Sequence, residues 1–115
     1  MALVLFVIER GGNKKIEIPY RATNNNHVFH QYTLIIHDAS RDELSQYLTE
    51  QGVPNMIYYP VPAHRQKMFD AFGGSEYHLP ITDWLTDRVI SLPIHTELDE
   101  EQQQFISEKV LSFLK

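Results

Sequence analysis

The chain has 115 residues, 43% of them hydrophobic and 22% charged, which is typical of a single globular domain and excludes a disordered or collagen-like chain. Its 10 basic and 15 acidic residues give a formal net charge of −5, and because this charge repels phosphate backbones, no nucleic-acid partner is expected. The absence of cysteine excludes disulfide bonds and thiolate metal sites, and it is compatible with the reducing cytoplasm, where we expect the protein to act.

The N-terminal stretch, residues 3–8, is apolar and is expected to form a strand or the remnant of a helix. It is far shorter than the ~20 residues that a membrane-spanning helix needs. It also lacks a basic leader and a small-residue cleavage site, so neither a membrane partner nor an export signal is expected. After the Gly11-Gly12 break, residues 16–18 alternate briefly, which favours a hairpin with the first strand.

The best-supported strand covers residues 27–37, which are rich in β-forming side chains and alternate with a period of two. Apolar side chains fall on both faces of this strand. A strand that is covered on both faces belongs inside a sheet, so we expect residues 27–37 at its centre.

A helix is predicted over residues 41–51. Ser40 and Glu43 have the spacing of a capping box, and Gly52 stands where a left-handed helix end is needed. A second strand over residues 55–59 follows the helix, which gives a β-α-β order. The expected fold is a two-layer α/β (α+β) sandwich with a mixed sheet and its helices on one face.

The C-terminal half is predicted to add short elements and one long helix. Residues 65–72 favour a short helix that Gly73-Gly74 ends, and Thr82 is expected to cap a helical turn that runs to residue 87. A short strand over residues 89–92 precedes a final helix over residues 100–114, which Asp99 opens. The apolar stripe of this last helix is expected to consist of Phe105, Ile106, Val110 and Leu114.

A turn connects the predicted strand over residues 55–59 to the predicted short helix over residues 65–72. Its sequence is Ile-Tyr-Tyr-Pro-Val-Pro-Ala-His, residues 57–64, and we call it the proline turn. Each proline fixes its own φ near −65° and holds the residue before it in an extended conformation. The loop should hold Tyr59 and Val61 open, and a preorganised loop of this kind is where functional sites often lie. The alternative is a rigid connector whose two tyrosines pack in the core.

Six histidines raise the question of a metal site, and His27, His30 and His37 are the nearest to a cluster. Because side chains alternate between the faces of a strand, His27 and His37 share a face but lie about 33 Å apart. No metal is therefore expected. No serine lies in a Gly-x-Ser-x-Gly elbow, and no glycine loop suited to a phosphate is present.

Several motifs, in their order and spacing, resemble the C-terminal domain of the DegT/DnrJ/EryC1/StrS family of nucleotide-sugar aminotransferases, which depend on pyridoxal phosphate (PLP). The branch that is most similar makes dTDP-3-amino-3,6-dideoxyhexoses. The resemblance covers residues 15–115, and residues 1–14 form an atypical N-terminal strand or linker. The motifs are HVFHQY at residues 27–32, RDEL at 41–44, YPVPAH at 59–64, LP at 79–80 with SLPI at 91–94, and ELDEEQ at 97–102.

The resemblance implies a small domain that follows a large aspartate-aminotransferase-like domain and closes over the substrate. Family members carry the Schiff-base lysine, the acidic partner of the pyridine nitrogen and the phosphate loop in that large domain. No matching context surrounds any lysine of this chain, so no catalytic residue and no PLP site are expected in it. The five lysines are Lys14, Lys15, Lys67, Lys109 and Lys115.

By the same resemblance, Tyr59 and His64 line the substrate pocket, with Tyr58 and Arg65 as their neighbours. His27, His30 and Gln31 match a family motif and are interpreted as framework residues.

The resemblance leaves two alternative functions for this chain. The chain is either the C-terminal fragment of an aminotransferase of surface-polysaccharide or antibiotic sugar biosynthesis, inactive alone, or a free-standing, non-catalytic binding or assembly module. An independent enzyme is disfavoured, because no complete catalytic set is present. Weak binding of a nucleotide sugar is expected, together with self-association or docking to a missing large domain.

Overall fold

The computed structural model describes residues 13–115, so the strand expected at residues 3–8 lies outside the described part. In chain order, the elements are strand β1 (Ile16–Glu17), strand β2 (Tyr32–Ile36), helix α1 (Arg41–Glu50), three consecutive 3₁₀ turns (Ala63–Arg65, Lys67–Phe72 and Gly74–Glu76), helix α2 (Pro80–Thr86), strand β3 (Val89–Leu92) and helix α3 (Glu100–Phe113). No helix in the described residues is long and apolar enough to cross a membrane.

The sheet has the order β1-β2-β3, which confirms the prediction that β2 is central. Both pairings are antiparallel, with Ile16 opposite Ile36 and Leu34 opposite Ile90. The described strands therefore form an antiparallel sheet, whereas the β-α-β order had predicted a mixed one.

The strand predicted over residues 55–59 is reduced to a single antiparallel bridge between Met56 and Ser91. The two residues exchange backbone hydrogen bonds of 3.0 and 2.9 Å. Pro54 and Pro60 lack an amide hydrogen and flank the bridge closely, which is the physical reason that the pairing does not extend.

The central strand is also shorter than the predicted residues 27–37. Phe29 has a φ of 52°, in the left-handed region, and this turn separates residues 27–28 from β2. The Phe29 amide donates to Nδ1 of His27 at 2.8 Å, which supports the turn locally. A side chain that bonds its own backbone in this way competes with the sheet ladder.

Helices α1 and α3 begin at the predicted caps. The Ser40 hydroxyl accepts from the Glu43 amide at 3.2 Å. At α3 both bonds of the capping box are present, because Asp99 Oδ1 accepts from the Gln102 amide and the Gln102 side chain accepts from the Asp99 amide. Gly52 follows α1 with a φ of 76°, as a left-handed helix end requires.

One face of the sheet carries the hydrophobic core. Along β2, every second side chain is buried, and these pack with side chains from both α1 and α3 in one cluster. The two-layer α/β fold with α1 and α3 on one sheet face is thereby confirmed. The core consists of Phe29, Tyr32, Leu34, Ile36, Leu44, Leu48, Val53, Ile90, Leu92, Ile106, Val110 and Leu114.

The predicted stripe of α3 is wrong at one position. Phe105 remains 42% exposed, and Gln103 and Ser107 are buried instead. Their polar groups are satisfied within α3 and its N-terminal loop, since Gln103 Nε2 donates to the Leu98 carbonyl and the Ser107 hydroxyl donates to the Gln103 carbonyl, both at 2.9 Å. These local bonds allow two polar side chains inside the core face.

The segment predicted as a helix over residues 65–72 forms 3₁₀ turns, which Gly73 ends with a φ of 72°. Gly74 follows in close contact with this segment, because a Cβ atom there would lie 2.7 Å from the His64 carbonyl oxygen. Helix α2 begins at Pro80, a favoured first helical residue, and not at a cap formed by Thr82.

Candidate functional site

The proline turn connects the Met56 bridge to the first 3₁₀ turn, Ala63–Arg65. Pro62 has φ −57° and ψ 145°, the extended geometry that a proline favours. The ring of Tyr59 is 71% exposed, and Tyr58 is also exposed. The alternative in which both tyrosines pack in the core is therefore wrong, and the turn presents them to solvent.

Tyr58 and Tyr59 line an open cleft of about 520 Å³ together with the side chain of Arg65. Three of the four residues that the sequence predicted for a site thus lie together. The wall is aromatic at the tyrosines and positively charged at Arg65. The remaining lining residues are Pro60, Val61, Gln66 and Lys67.

Gln66 and Lys67 were not predicted as site residues, although they follow Arg65 directly in the sequence. Among the described residues that line the cleft, the charged ones are Arg65 and Lys67, both basic. The cleft therefore favours an anionic ligand that carries a group able to stack on tyrosine. The sequence signal that could have revealed Gln66 and Lys67 is the run of basic and amide side chains directly after the proline turn.

His64 lies apart from the other predicted residues. Its side chain is only 8% exposed and borders a second cleft of about 300 Å³, which is mainly aromatic. That cleft is lined also by Ala63, Phe69, Phe72, Gly74 and Tyr77. The structure thus brings Tyr58, Tyr59 and Arg65 into one cleft and His64 into another.

Asp83 of α2 faces both His64 and Arg65. Arg65 Nη2 donates to Asp83 Oδ2 at 2.7 Å, and His64 Nε2 lies 3.6 Å from Asp83 Oδ1. Because Arg65 is 57% exposed, this ion pair contributes at most about 1 kcal/mol to the stability. No sequence pattern singles out this residue, because Asp83 stands 18 positions after Arg65 and belongs to a different element.

His27 and His30 precede β2 in the chain. His27 stacks on Phe29 with ring centroids 4.6 Å apart, and His30 is exposed. Gln31 borders a small recess of about 60 Å³ beside Tyr58 and Tyr59, so it adjoins the tyrosine cleft. Within residues 13–115, no group of three or more histidine or acidic side chains could hold a metal ion.

The sequence pattern of the DegT/DnrJ/EryC1/StrS aminotransferase family matches residues 9–111. The chain belongs to this family. The fold agrees, because the chain superposes on the structure of S. venezuelae DesV in complex with a ketimine intermediate, with a TM-score of 0.85 and 27% identity. That superposition covers 99% of this chain and 30% of DesV.

Curated relatives in the family differ in their names. A pleiotropic regulatory protein of Geobacillus stearothermophilus is 39% identical over 95% of this chain. A UDP-N-acetyl-3-dehydro-α-D-glucosamine 3-aminotransferase of Acidithiobacillus ferrooxidans is 39% identical over 76% of it. A dTDP-3-amino-3,6-dideoxy-α-D-galactopyranose transaminase of Aneurinibacillus thermoaerophilus is 27% identical over 94%. The chain spans 29%, 22% and 29% of the lengths of these relatives, respectively.

The family implies PLP, and the described residues of this aminotransferase-family chain do not fit that cofactor. Lys67 borders the tyrosine cleft, but it is exposed and no carboxylate lines the cleft beside it to pair with a pyridine nitrogen. Lys109 is held by Gln51, to which its Nζ donates at 2.8 Å, and it lies over the ring of Phe105. No step of PLP chemistry can therefore be assigned to these residues.

Proposed function

We propose that this chain is the C-terminal part of a nucleotide-sugar aminotransferase and forms one wall of its substrate pocket. The observation that carries the proposal is the open cleft at the proline turn. Two exposed tyrosines and two basic side chains line it, and these are the groups that recognise a planar ring and a diphosphate. The cleft lies at the family motif YPVPAH.

A group of exposed apolar side chains supports the same proposal. Most of the large hydrophobic side chains that remain exposed lie within residues 56–84, and Phe72 is 79% exposed there. Surfaces of this kind mark contacts with another protein or domain. The relatives carry a much longer chain than this one, so the large domain of an aminotransferase fits as the part that covers residues 56–84.

We expect the substrate to be a nucleotide sugar. The motifs resemble enzymes of dTDP-keto-deoxyhexose transamination, and one relative is named for a UDP sugar. A single pocket wall buries only part of a ligand, so the isolated chain is expected to bind at millimolar concentration or weaker, which corresponds to about 4 kcal/mol or less.

Titration of dTDP-sugars and UDP-sugars, followed by the amide shifts of residues 58–65, measures this affinity. Amide shifts that are centred on Tyr58 and Tyr59 and that require millimolar ligand would support the proposal that this chain forms one wall of the substrate pocket. Micromolar binding that His64→Ala abolishes would favour a free-standing binding module instead.

A chimera tests the assignment to an aminotransferase directly. DesV keeps its large domain, and its C-terminal part is replaced by residues 13–115, which superpose well on it. We expect the chimera to bind PLP and to transaminate. A matched chimera with Tyr59→Ala should bind PLP equally but turn over more slowly. A folded, PLP-loaded chimera without turnover would contradict the proposal.

A further inference from the structure

The carboxyl group of Asp83 faces two side chains of the proline turn region, although Asp83 belongs to α2. One oxygen accepts from Arg65 Nη2 at 2.7 Å. The other oxygen lies 3.6 Å from His64 Nε2. The two carboxylate oxygens therefore face different side chains, and Asp83 of α2 lies beside the middle and the last residue of the 3₁₀ turn Ala63–Arg65.

His64 has a ring nitrogen whose hydrogen-bonding capacity is unused. Nε2 is buried and has no hydrogen-bond partner within residues 13–115. Buried polar atoms in folded proteins are almost always hydrogen-bonded. A shift of about 0.6 Å toward Asp83 would bring Nε2 to an ordinary N–H···O distance.

The charge of Asp83 decides which nitrogen of the neutral imidazole carries the proton. An unprotonated Nε2 would direct a lone pair at a carboxylate oxygen, which repels it, whereas a protonated Nε2 can donate to that oxygen. The neighbouring carboxylate therefore favours the Nε2–H tautomer. In that tautomer Nδ1 is the acceptor nitrogen of the ring.

We propose that Asp83 is a positioning residue of the substrate wall, which fixes His64 as the Nε2–H tautomer and holds the Arg65 guanidinium at the rim of the tyrosine cleft. Arg65 has five N–H donors and gives one of them to Asp83, so others are available to an anionic ligand. The effect on ligand binding rests on the proposed function. The tautomer of His64 does not, because it needs no ligand.

The test is nitrogen NMR of the imidazole of His64 in the full chain at alkaline pH. The two ring nitrogens are expected at clearly separate shifts, with the proton on Nε2. In Asp83→Ala the two shifts should move toward each other, as in a mixture of tautomers, and the amides of residues 58–65 should shift. Asp87→Ala removes the same charge from the exposed C-terminal end of α2 and should leave His64 unchanged.

A wild-type ring with its proton on Nδ1 would overturn the inference without any variant. Unchanged ring-nitrogen shifts of His64 in a folded Asp83→Ala chain would also overturn the inference. In titrations with a dTDP-sugar, Asp83→Ala should weaken binding about threefold to tenfold, the effect of one hydrogen bond, and Asp83→Glu should restore part of it.

These two measurements separate the inference from the proposed function. A chain with the Nε2–H tautomer that binds no nucleotide sugar would contradict the proposed function and still support the role of Asp83. A chain that binds the ligand but holds the Nδ1–H tautomer would contradict the role of Asp83 alone.

Discussion

Thr33 and Ser91 lie directly opposite each other on β2 and β3, and their hydroxyl oxygens are 2.8 Å apart. This pair stands on the sheet face that α1 and α3 leave uncovered. Ser91 is nevertheless buried, because Met56 pairs with it on its other side. On this uncovered face, the Thr33–Ser91 pair and the exposed Tyr58 and Tyr59 of the proline turn line one small recess.

We predict that the isolated chain self-associates through the apolar surface within residues 56–84, since large apolar patches seldom stay in contact with water. Ile81→Glu, on α2, is expected to weaken the association. Phe105→Glu adds the same charge at an exposed apolar position of α3 and should leave it unchanged. Sedimentation velocity over a range of concentrations measures the association of the wild-type chain and of both variants. A wild-type chain that stays monomeric at high concentration would refute the prediction.

Gly74→Ala is predicted to disrupt the 3₁₀ segment behind the proline turn. Its Cβ would lie 2.7 Å from the His64 carbonyl and 2.8 Å from the Cβ of Phe69, so the backbone must move. The cost is expected to be about 1–3 kcal/mol, as in other overpacked sites. Amide exchange of residues 63–76 measures it, with Ser75→Ala as an exposed neighbouring control. Equal protection in both variants would show that the segment adapts without cost.

Asp99→Ala is expected to lower the free energy of unfolding by about 1 kcal/mol, because it removes the helix cap of α3. Both bonds of the capping box depend on the geometry of Asp99 and Gln102. Glu97→Ala removes the same charge two residues earlier and should have a much smaller effect. Urea unfolding of the three proteins compares them, and an equal loss in both variants would point to charge and not to capping.

The isolated chain is predicted not to form an internal aldimine with PLP, because no lysine of residues 13–115 stands in a site suited to the cofactor. Addition of PLP should give no stoichiometric visible Schiff-base band. After borohydride reduction, any label should be spread over exposed lysines such as Lys67. A single lysine labelled in full would show that a PLP site exists in this chain.

The family and most elements could be predicted from the sequence because their signals are local. The cap residues Ser40 and Asp99 accept hydrogen bonds from amides only three residues along the chain, so their role can be read from local sequence. The two prolines of the turn restrict their own neighbours in the same way. Tyr58, Tyr59 and Arg65 were found together because they are close in sequence.

Long-range contacts decided the rest. The mixed sheet was wrong because Met56 pairs with β3, antiparallel to it, and not with β2 as the β-α-β order had suggested. Phe105 stayed exposed because the core at that turn of α3 accommodates Gln103 and Ser107, whose polar groups bond locally.

The sequence by itself determined the capped helices and the stiffness of the proline turn, since each depends on residues a few positions apart, and it determined the family through the order and spacing of motifs between residues 27 and 102. The tertiary structure alone placed Asp83 beside His64 and Arg65 and turned His64 away from the tyrosine cleft. The physical reason is that a carboxylate on one element contacts an imidazole on another only after the two elements have packed together. The local sequence around either residue carries no signal of such a contact.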